Sequence, residues 1–343
     1  MGKDIKEYSL EDLRRLLGEW GDPAYRAAQI FSWIYRRGAG DFDAMTDLSS
    51  GLRKKLKAEF FVRGSLVKEL RGSSDGTKKL LIELADRNLI EGVSIPAEGR
   101  VTGCISSQAG CRFACRFCAS GLGGFVRDLT AGEILDEVLL LKGVAREALT
   151  HIVFMGIGEP LDNYVHVLKS IRIINSPDGF NIGARRITVS TSGIVPGIER
   201  LAKEDLQLEL SVSLHATDDA VRSALMPVNK KYPLKELLKA LKGYIRTTDR
   251  QVTFEYALID GVNSDLKNAR QLATIVKGLG LCKVNLIPAN VIPELRVGPP
   301  NKPAILLFKD ALTKAGVVAT LRKSRGRDIE AACGQLRLSY EKK

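Results

Sequence analysis

The sequence predicts an α/β protein: a partial (βα)6 barrel preceded by a small helical accessory domain and a β-hairpin linker. Three observations carry this reading. Apolar residues recur at helical spacing through the first 70 residues. Two apolar runs then flank Asp86-Arg87-Asn88. From about residue 100 short apolar runs of strand length alternate with helical patterns.

In the accessory domain, residues 1–75, Leu10, Leu13, Leu16 and Leu17 mark a first helix that stops near Gly21-Asp22-Pro23. A second, 24–37, carries Ile30, Phe31, Trp33 and Ile34 and stops at Gly38. A third spans 49–60 with basic residues on its polar face. The linker, 76–99, is a hairpin of runs 78–84 and 89–95. The barrel domain, 100–340, has strand candidates at 101–106, 151–155, 186–191, 208–214, 252–259, 283–287 and 317–322, with helices such as 131–146 and 265–279 between them. Repeated β/α units imply parallel strands buried beneath helices. Six units favour a partial barrel over a doubly wound sheet, although spacing alone leaves both open. In either architecture ligands collect beyond the carboxyl ends of the strands.

At 343 residues the chain accommodates one large domain and a smaller one. Its 45% hydrophobic and 27% charged residues are those of a soluble globular protein. No apolar run approaches the ~20 residues of a membrane span, and the charged start MGKDIKEYSLEDL lacks a secretory core. A cytoplasmic protein is expected, and its six cysteines point to metal or catalysis rather than structural disulfides. The net charge of +12 favours a polyanionic partner, with nucleic acid first. The accessory domain itself is nearly charge-balanced, so it is not a basic arm.

Cys111-Arg-Phe-Ala-Cys115-Arg-Phe-Cys118 is the most specific motif. Three thiols at C-x3-C-x2-C spacing cannot close a four-ligand zinc site alone. On a four-iron cluster they would leave one iron open. A zinc knuckle completed from afar, or three unrelated buried thiols, remain as alternatives. The loop follows the first barrel strand, and further motifs follow the others. Gly156-Ile-Gly158-Glu159-Pro160 offers glycines for close backbone approach and a carboxylate for an ammonium group. Ser190-Thr191-Ser192-Gly193 and Ser213-Leu214-His215-Ala216 offer hydroxyls and an imidazole suited to a ribose or carboxylate, and Asn290 follows the sixth strand. A lone His is more often structural; its place at a strand end favours a ligand contact. Cys104 lies on the first barrel strand, and Cys333 in a small-residue turn near the C-terminus. Cys282 reads as ordinary packing.

These segments resemble the 23S rRNA adenine-C2 methyltransferase branch of the radical S-adenosylmethionine (SAM) enzymes, the RlmN/Cfr family. The resemblance extends over nearly the whole chain through YRAAQIFSWIY, CISSQAGC, CRFCASG, GIGEPLDN, RRITVSTSGIVP, SLHA, PVNKKYPL, NLIPAN and DIEAACGQL. Gly158-Glu159-Pro160-Leu161 and Ser190-Thr191-Ser192-Gly193 favour the C2 group over the C8 resistance enzymes, which resemble GEAL and STIG there.

The resemblance implies a radical SAM barrel with a [4Fe–4S] cluster on Cys111, Cys115 and Cys118. It places SAM against Gly158, Glu159, Ser190, Ser213, Leu214, His215 and Asn290. It further implies that Cys333 carries a methyl group as S-methylcysteine, that Glu91 accepts the proton from C2, and that Cys104 resolves a covalent protein–RNA adduct through a Cys104–Cys333 disulfide. From the residues alone Glu91 reads as an exposed hairpin carboxylate. The implied partners are 23S rRNA, a tRNA adenine beside the anticodon, and an electron donor such as flavodoxin or ferredoxin; a monomer is expected. Two rivals stand beside it. A radical SAM enzyme with a non-RNA substrate would not depend on Cys333, and a zinc-bearing RNA-binding protein would contain no sulfide.

Overall fold

The computed structural model describes residues 2–289, 298–322, 325–329, 336–337 and 340. The N-terminal part contains β1 (Lys3–Asp4), α1 (Leu10–Glu19), α2 (Arg26–Phe31), α3 (Ser50–Glu59) and β2 (Phe60–Phe61). α1 opens with a capping box in which Ser9 and Asp12 satisfy each other's amides. α2 runs on into a π-helical turn, Ser32–Arg36. The three helices expected from the sequence are all present.

Next come β3 (Leu66–Gly72), β4 (Lys78–Glu83), β5 (Leu89–Ala97), β6 (Arg100–Cys104), β7 (Gln108–Gly110) and β8 (Phe125–Asp128). The remainder runs α4 (Ala131–Val144), β9 (His151–Phe154), α5 (Tyr164–Asn175), β10 (Ile187–Thr191), α6 (Val195–Leu201), β11 (Glu209–Ser213) and α7 (Asp219–Leu225). It continues through α8 (Leu234–Thr248), β12 (Val252–Leu258), α9 (Leu266–Leu279), β13 (Cys282–Pro288), α10 (Lys302–Lys314) and β14 (Ala319–Leu321).

All seven predicted barrel strands form, and β6-β9-β10-β11-β12-β13-β14 is a continuous parallel series. Two expectations are corrected. Residues 66–72, read as part of the helical region, form β3. The hairpin is also more than a linker: β3, β4 and β5 extend the barrel sheet antiparallel, with Val93 opposite Cys104, giving one ten-stranded sheet. A strand of nine residues such as β5 has two rows of amides and carbonyls to satisfy, and β6 satisfies one row where β4 satisfies the other.

The parallel strands are not apolar on both faces. Val189, Leu210, Val212, Phe254 and Val284 pack into the core with the helices. Alternate positions carry Ser190, Ser211, Ser213, Thr253, Glu255 and Asn285, and Ser211 and Asn285 both donate to Glu255 Oε1 across the inner face. Side chains alternate across a strand, so this inner surface is polar, unlike a barrel filled by branched aliphatics.

The N-terminal part is bolted to α4. Lys6, fully buried, lies 2.7 Å from Asp4 Oδ1 and 3.2 Å from Asp136 Oδ1. Asp136 Oδ2 accepts from the Gly64 and Ser65 amides, and burial raises the Asp136 pKa against the opposing pull of Lys6. Lys142 donates to the Tyr35 and Arg36 carbonyls. Removing Asp136 leaves the buried Lys6 with Asp4 as its remaining carboxylate partner and takes the acceptor from the Gly64 and Ser65 amides. Asp136→Ala is therefore expected to lower stability by ~3–5 kcal/mol, read as a lower urea midpoint at unchanged slope. Among the described residues no helix is long and apolar enough to cross a membrane.

Candidate functional site

The cysteine loop sits on a two-stranded stem absent from the sequence reading. β7 and β8 pair antiparallel, and the Cys111 amide donates to the Gly124 carbonyl to close the loop. Gly110 takes φ +81°, and a methyl group there would sit 1.9 Å from the Gly124 oxygen, so only glycine lets the stem close. Within the loop, the Cys118 amide donates to Cys115 and the Gly121 amide to Cys118. The Arg116 amide donates to Leu225 at the end of α7, while Phe113, Cys115 and Phe117 pack on Leu225, Met226 and Val228.

Desolvation pushes the Cys111 thiol up to about 12, aided by repulsion from Cys118, and raises Cys115 strongly for the same two reasons in that order. Thiols that oppose one another's ionisation become thiolates together only against a multiply charged cation. Among the described residues no three His, Cys, Asp or Glu side chains converge on a single-ion site. An all-thiolate donor set of this kind fits an iron–sulfur group. Among the described residues the buried Ser107 and Ser120 hydroxyls beside this loop have no hydrogen-bond partner, which leaves polar capacity for a bound group.

Gly158 and Glu159 lie after β9, and Gly158 makes a close approach within the protein itself. Gly158 has φ +105°, and a methyl group on it would meet Gln108 Cβ at 2.6 Å. The close approach is thus to the chain entering β7, whose Ser107 and Gln108 amides donate to the Ile157 carbonyl. Glu159 is buried, and its carboxylate accepts from the Leu161 amide at 3.0 Å and the Ser192 amide at 2.6 Å. Burial raises its pKa, opposed by those bonds. It therefore ties the loop after β9 to the loop after β10, and retains lone pairs for an ammonium group.

Ser190 and Ser213 lie on the polar inner face of β10 and β11. Leu214 buries its side chain in the core, leaving its backbone as the ligand-facing part. His215 adopts φ +55°. Its Nδ1 accepts from the Ala257 amide at 2.8 Å, so the neutral ring carries its proton on Nε2. Burial, and then the charge of Arg222, lower its pKa to about 3, so it stays a neutral donor. Phe117 of the cysteine loop packs edge-on against this ring at 4.4 Å. The cysteine loop and the Ser213–His215 segment are thereby brought together.

Glu91 is not an exposed hairpin residue. It is 2% exposed in the centre of the sheet, 2.9 Å from the fully buried Lys79 Nζ, and its Oε1 accepts from the Arg337 amide at 2.5 Å. The registers Leu81↔Glu91 and Val93↔Cys104 put Lys79, Glu91, Val93 and Cys104 on one face. Gly92 and Gly103 on the other face abut α4 through Leu141. A methyl group on Gly123 would meet Arg337 Nη2, so the C-terminal segment at Leu336–Arg337 lies between Glu91 and the cysteine loop. Upstream, Asp328 accepts from Ser73 Oγ and the Ser74 amide, docking the chain on the β3–β4 turn. Asn290 and Cys333 lie outside the described residues. Cys282 is buried in the core, as expected of packing.

Lys79 and Arg222 escaped the sequence reading because a lone basic residue ordinarily signals a solvated surface. Only the polar register of β4 and the turn of α7 bury them.

Comparison with known proteins agrees with this geometry. Residues 105–273 match the Radical SAM superfamily model and residues 3–62 the Ribosomal RNA large subunit methyltransferase N-terminal domain. A "Probable dual-specificity RNA methyltransferase RlmN" of Caldanaerobacter subterraneus subsp. tengcongensis is 46% identical over 340 residues, 99% of each chain. One of the same description from Thermoanaerobacter sp. is 47% identical over 99% of each. The crystal structure of a radical SAM methyltransferase from Sphaerobacter thermophilus superposes with a TM-score of 0.93 at 46% identity, covering 97% of this chain and 98% of that one. Full-length identity of this order, with the accessory domain and the barrel in the same arrangement, places the chain in the RlmN family of radical SAM enzymes.

Proposed function

We propose that this radical SAM RNA methyltransferase methylates C2 of an adenine in the peptidyl-transferase centre of 23S rRNA, and of the tRNA adenine beside the anticodon. One juxtaposition carries the proposal: a buried carboxylate, Glu91, shares a sheet face with Cys104 and is bonded to the C-terminal segment that passes the cysteine loop.

An adenine C2 carbon is electron-poor but not acidic, so polar methyl transfer to it has no productive nucleophile. When bound, a [4Fe–4S] cluster and SAM would supply the reducing electron and the radical chemistry that activates a methyl group. The cysteines 111, 115 and 118 hold the cluster. Glu159, Ser190, Ser213 and His215 orient SAM, together with the Gly158 and Leu214 backbone and Asn290. Cys333, as a thiolate, takes a methyl from a first SAM and presents it to the base. Once the methylene carbon is bonded to C2, the odd-electron adduct gives up one electron, for which the cluster would be the acceptor, and Glu91 accepts the C2 proton. Cys104 sulfur then attacks Cys333 sulfur. The S–C bond breaks with its electron pair passing to the methylene carbon, which takes up a proton to become the methyl group; a Cys104–Cys333 disulfide forms, methylated RNA leaves, and an external reductant restores both thiols. The excess of positive charge suits an RNA partner.

The test is anaerobic reconstitution with SAM, reductant and unmodified 23S rRNA fragment or tRNA, read by nucleoside mass spectrometry. 2-Methyladenosine is expected in both. 8-Methyladenosine would reassign the protein to the C8 branch, and SAM cleavage without RNA methylation would reject RNA as the substrate. Cys333→Ala is expected to keep its iron and yield no methylated RNA, whereas full activity would remove the thiolate relay.

A further inference from the structure

Arg222 on α7 is fully buried, yet every hydrogen bond it donates ends on a neutral oxygen. Nε donates to the Leu214 carbonyl at 3.1 Å and Nη1 to Asn229 Oδ1 at 2.8 Å. Nη2 donates to the Ser192 and Ser213 carbonyls at 2.7 and 3.0 Å. These contacts gather the loops after β10 and β11. They do not neutralise the guanidinium. Asp219, one turn earlier on the same helix, spends Oδ1 on Asn229 Nδ2 and the Leu234 amide, and among the described residues Arg222 has no ion pair. A buried cation is costly unless an anion balances it.

The anionic side of the site lies across α7. Leu225, three residues on, accepts the Arg116 amide of the cysteine loop, and Cys115 packs against the apolar cluster to which Leu225 belongs. A second link joins Arg222 to the loop: Leu214, which accepts from its Nε, precedes His215, and Phe117 of the cysteine loop packs on that His215 ring at 4.4 Å.

We infer that Arg222 is the fixed countercharge of the iron–sulfur cluster, stabilising its reduced form and so raising its reduction potential. The inference rests on Cys111, Cys115 and Cys118 being the cluster ligands. One-electron reduction adds a negative charge beside a cation that cannot move or be hydrated. In a low-dielectric interior that interaction is large, and nearby charge is one of the means by which a protein sets cluster potential. A purely structural hub would hold the same loops without this effect.

The experiment is a redox titration of the reconstituted full-length protein, without SAM, followed by electron paramagnetic resonance. Two variants are compared with wild type. Arg222→Gln removes the charge. The exchange Asp219→Asn with Asn229→Asp keeps Arg222 and net charge and moves a carboxylate onto Nη1, at the cost of the Asn229 Nδ2 bond to the Asp219 carbonyl. Both are expected to lower the ratio of reduced to oxidised cluster at fixed potential about tenfold, equivalent to ~59 mV for a one-electron couple. A wild-type potential in either variant overturns the inference. If Arg222→Gln does not take up iron, the exchange decides alone. Iron and sulfide counts on wild type and Cys115→Ala separate the two levels. A Cys115→Ala protein that keeps its full cluster refutes the ligand assignment, whatever the potentials show.

Discussion

Cys115→Ala is expected to retain its fold and lose its cluster: reconstituted wild type carries about four irons and four sulfides per chain, and the variant less than one iron. Substitution deletes one sulfur from a loop that is otherwise anchored by Phe113 and Phe117 on α7 and by the β7–β8 stem. The apoprotein should therefore melt within a few degrees of wild type, since truncation by a single atom at a half-buried loop position opens little cavity. Two thiolates cannot hold a cubane that needs three protein ligands and must also keep one iron open. Losing an outer-sphere partner of a metal ligand costs ~10–100-fold, and loss of a ligand itself should exceed that, abolishing SAM cleavage and RNA methylation together. Iron and sulfide analysis with SAM-cleavage assays reads both effects. Retention of iron at the wild-type level would return the loop to the reading of unrelated buried thiols.

Glu91→Gln is expected to uncouple SAM cleavage from product release. General-base groups contribute ~10²–10⁴-fold, so free 2-methyladenosine should fall by that factor while SAM is still consumed and labelled RNA accumulates on the protein. Glutamine keeps the shape and can still accept from the Arg337 amide, but it cannot take a proton. It also removes the carboxylate charge 2.9 Å from the fully buried Lys79 Nζ, so a stability loss of ~3–5 kcal/mol accompanies it. Combining Glu91→Gln with Lys79→Met separates the two consequences: stability should recover, methylation should not. Denaturant midpoints, product quantification and adduct on denaturing gels give the three readouts. Free product at the wild-type rate in the double variant would show that another group accepts the proton.

What was readable in the sequence followed from burial and from spacing. The three N-terminal helices and the seven parallel strands each bury a stripe or a face, so their periodicity survives in one dimension. The order of the strand-end motifs was equally plain, because glycines, cysteines and a carboxylate between apolar runs have few other reasons to occur there. β3 was read as helix because it is an edge strand with Leu66 and Leu70 half or more exposed, and a strand that buries little leaves no alternation to detect. β7 and β8 are three and four residues long, too short for any period.

Chain order by itself determined the elements, the cluster-ligand spacing and the family. Tertiary structure alone decided which face of each strand looks inward, and with it the environment of each charge. Pairing in register sets Lys79 against Glu91 across β4 and β5 and brings both to the face of Cys104. The fold of α7 over two strand ends turns Arg222 inward. The close approach at Gly158 is to the chain entering β7, a neighbour that only the fold supplies. A residue's type is local, but its desolvation and its partners are contributed by segments tens to hundreds of positions away, and those quantities give a carboxylate or a guanidinium its chemical role.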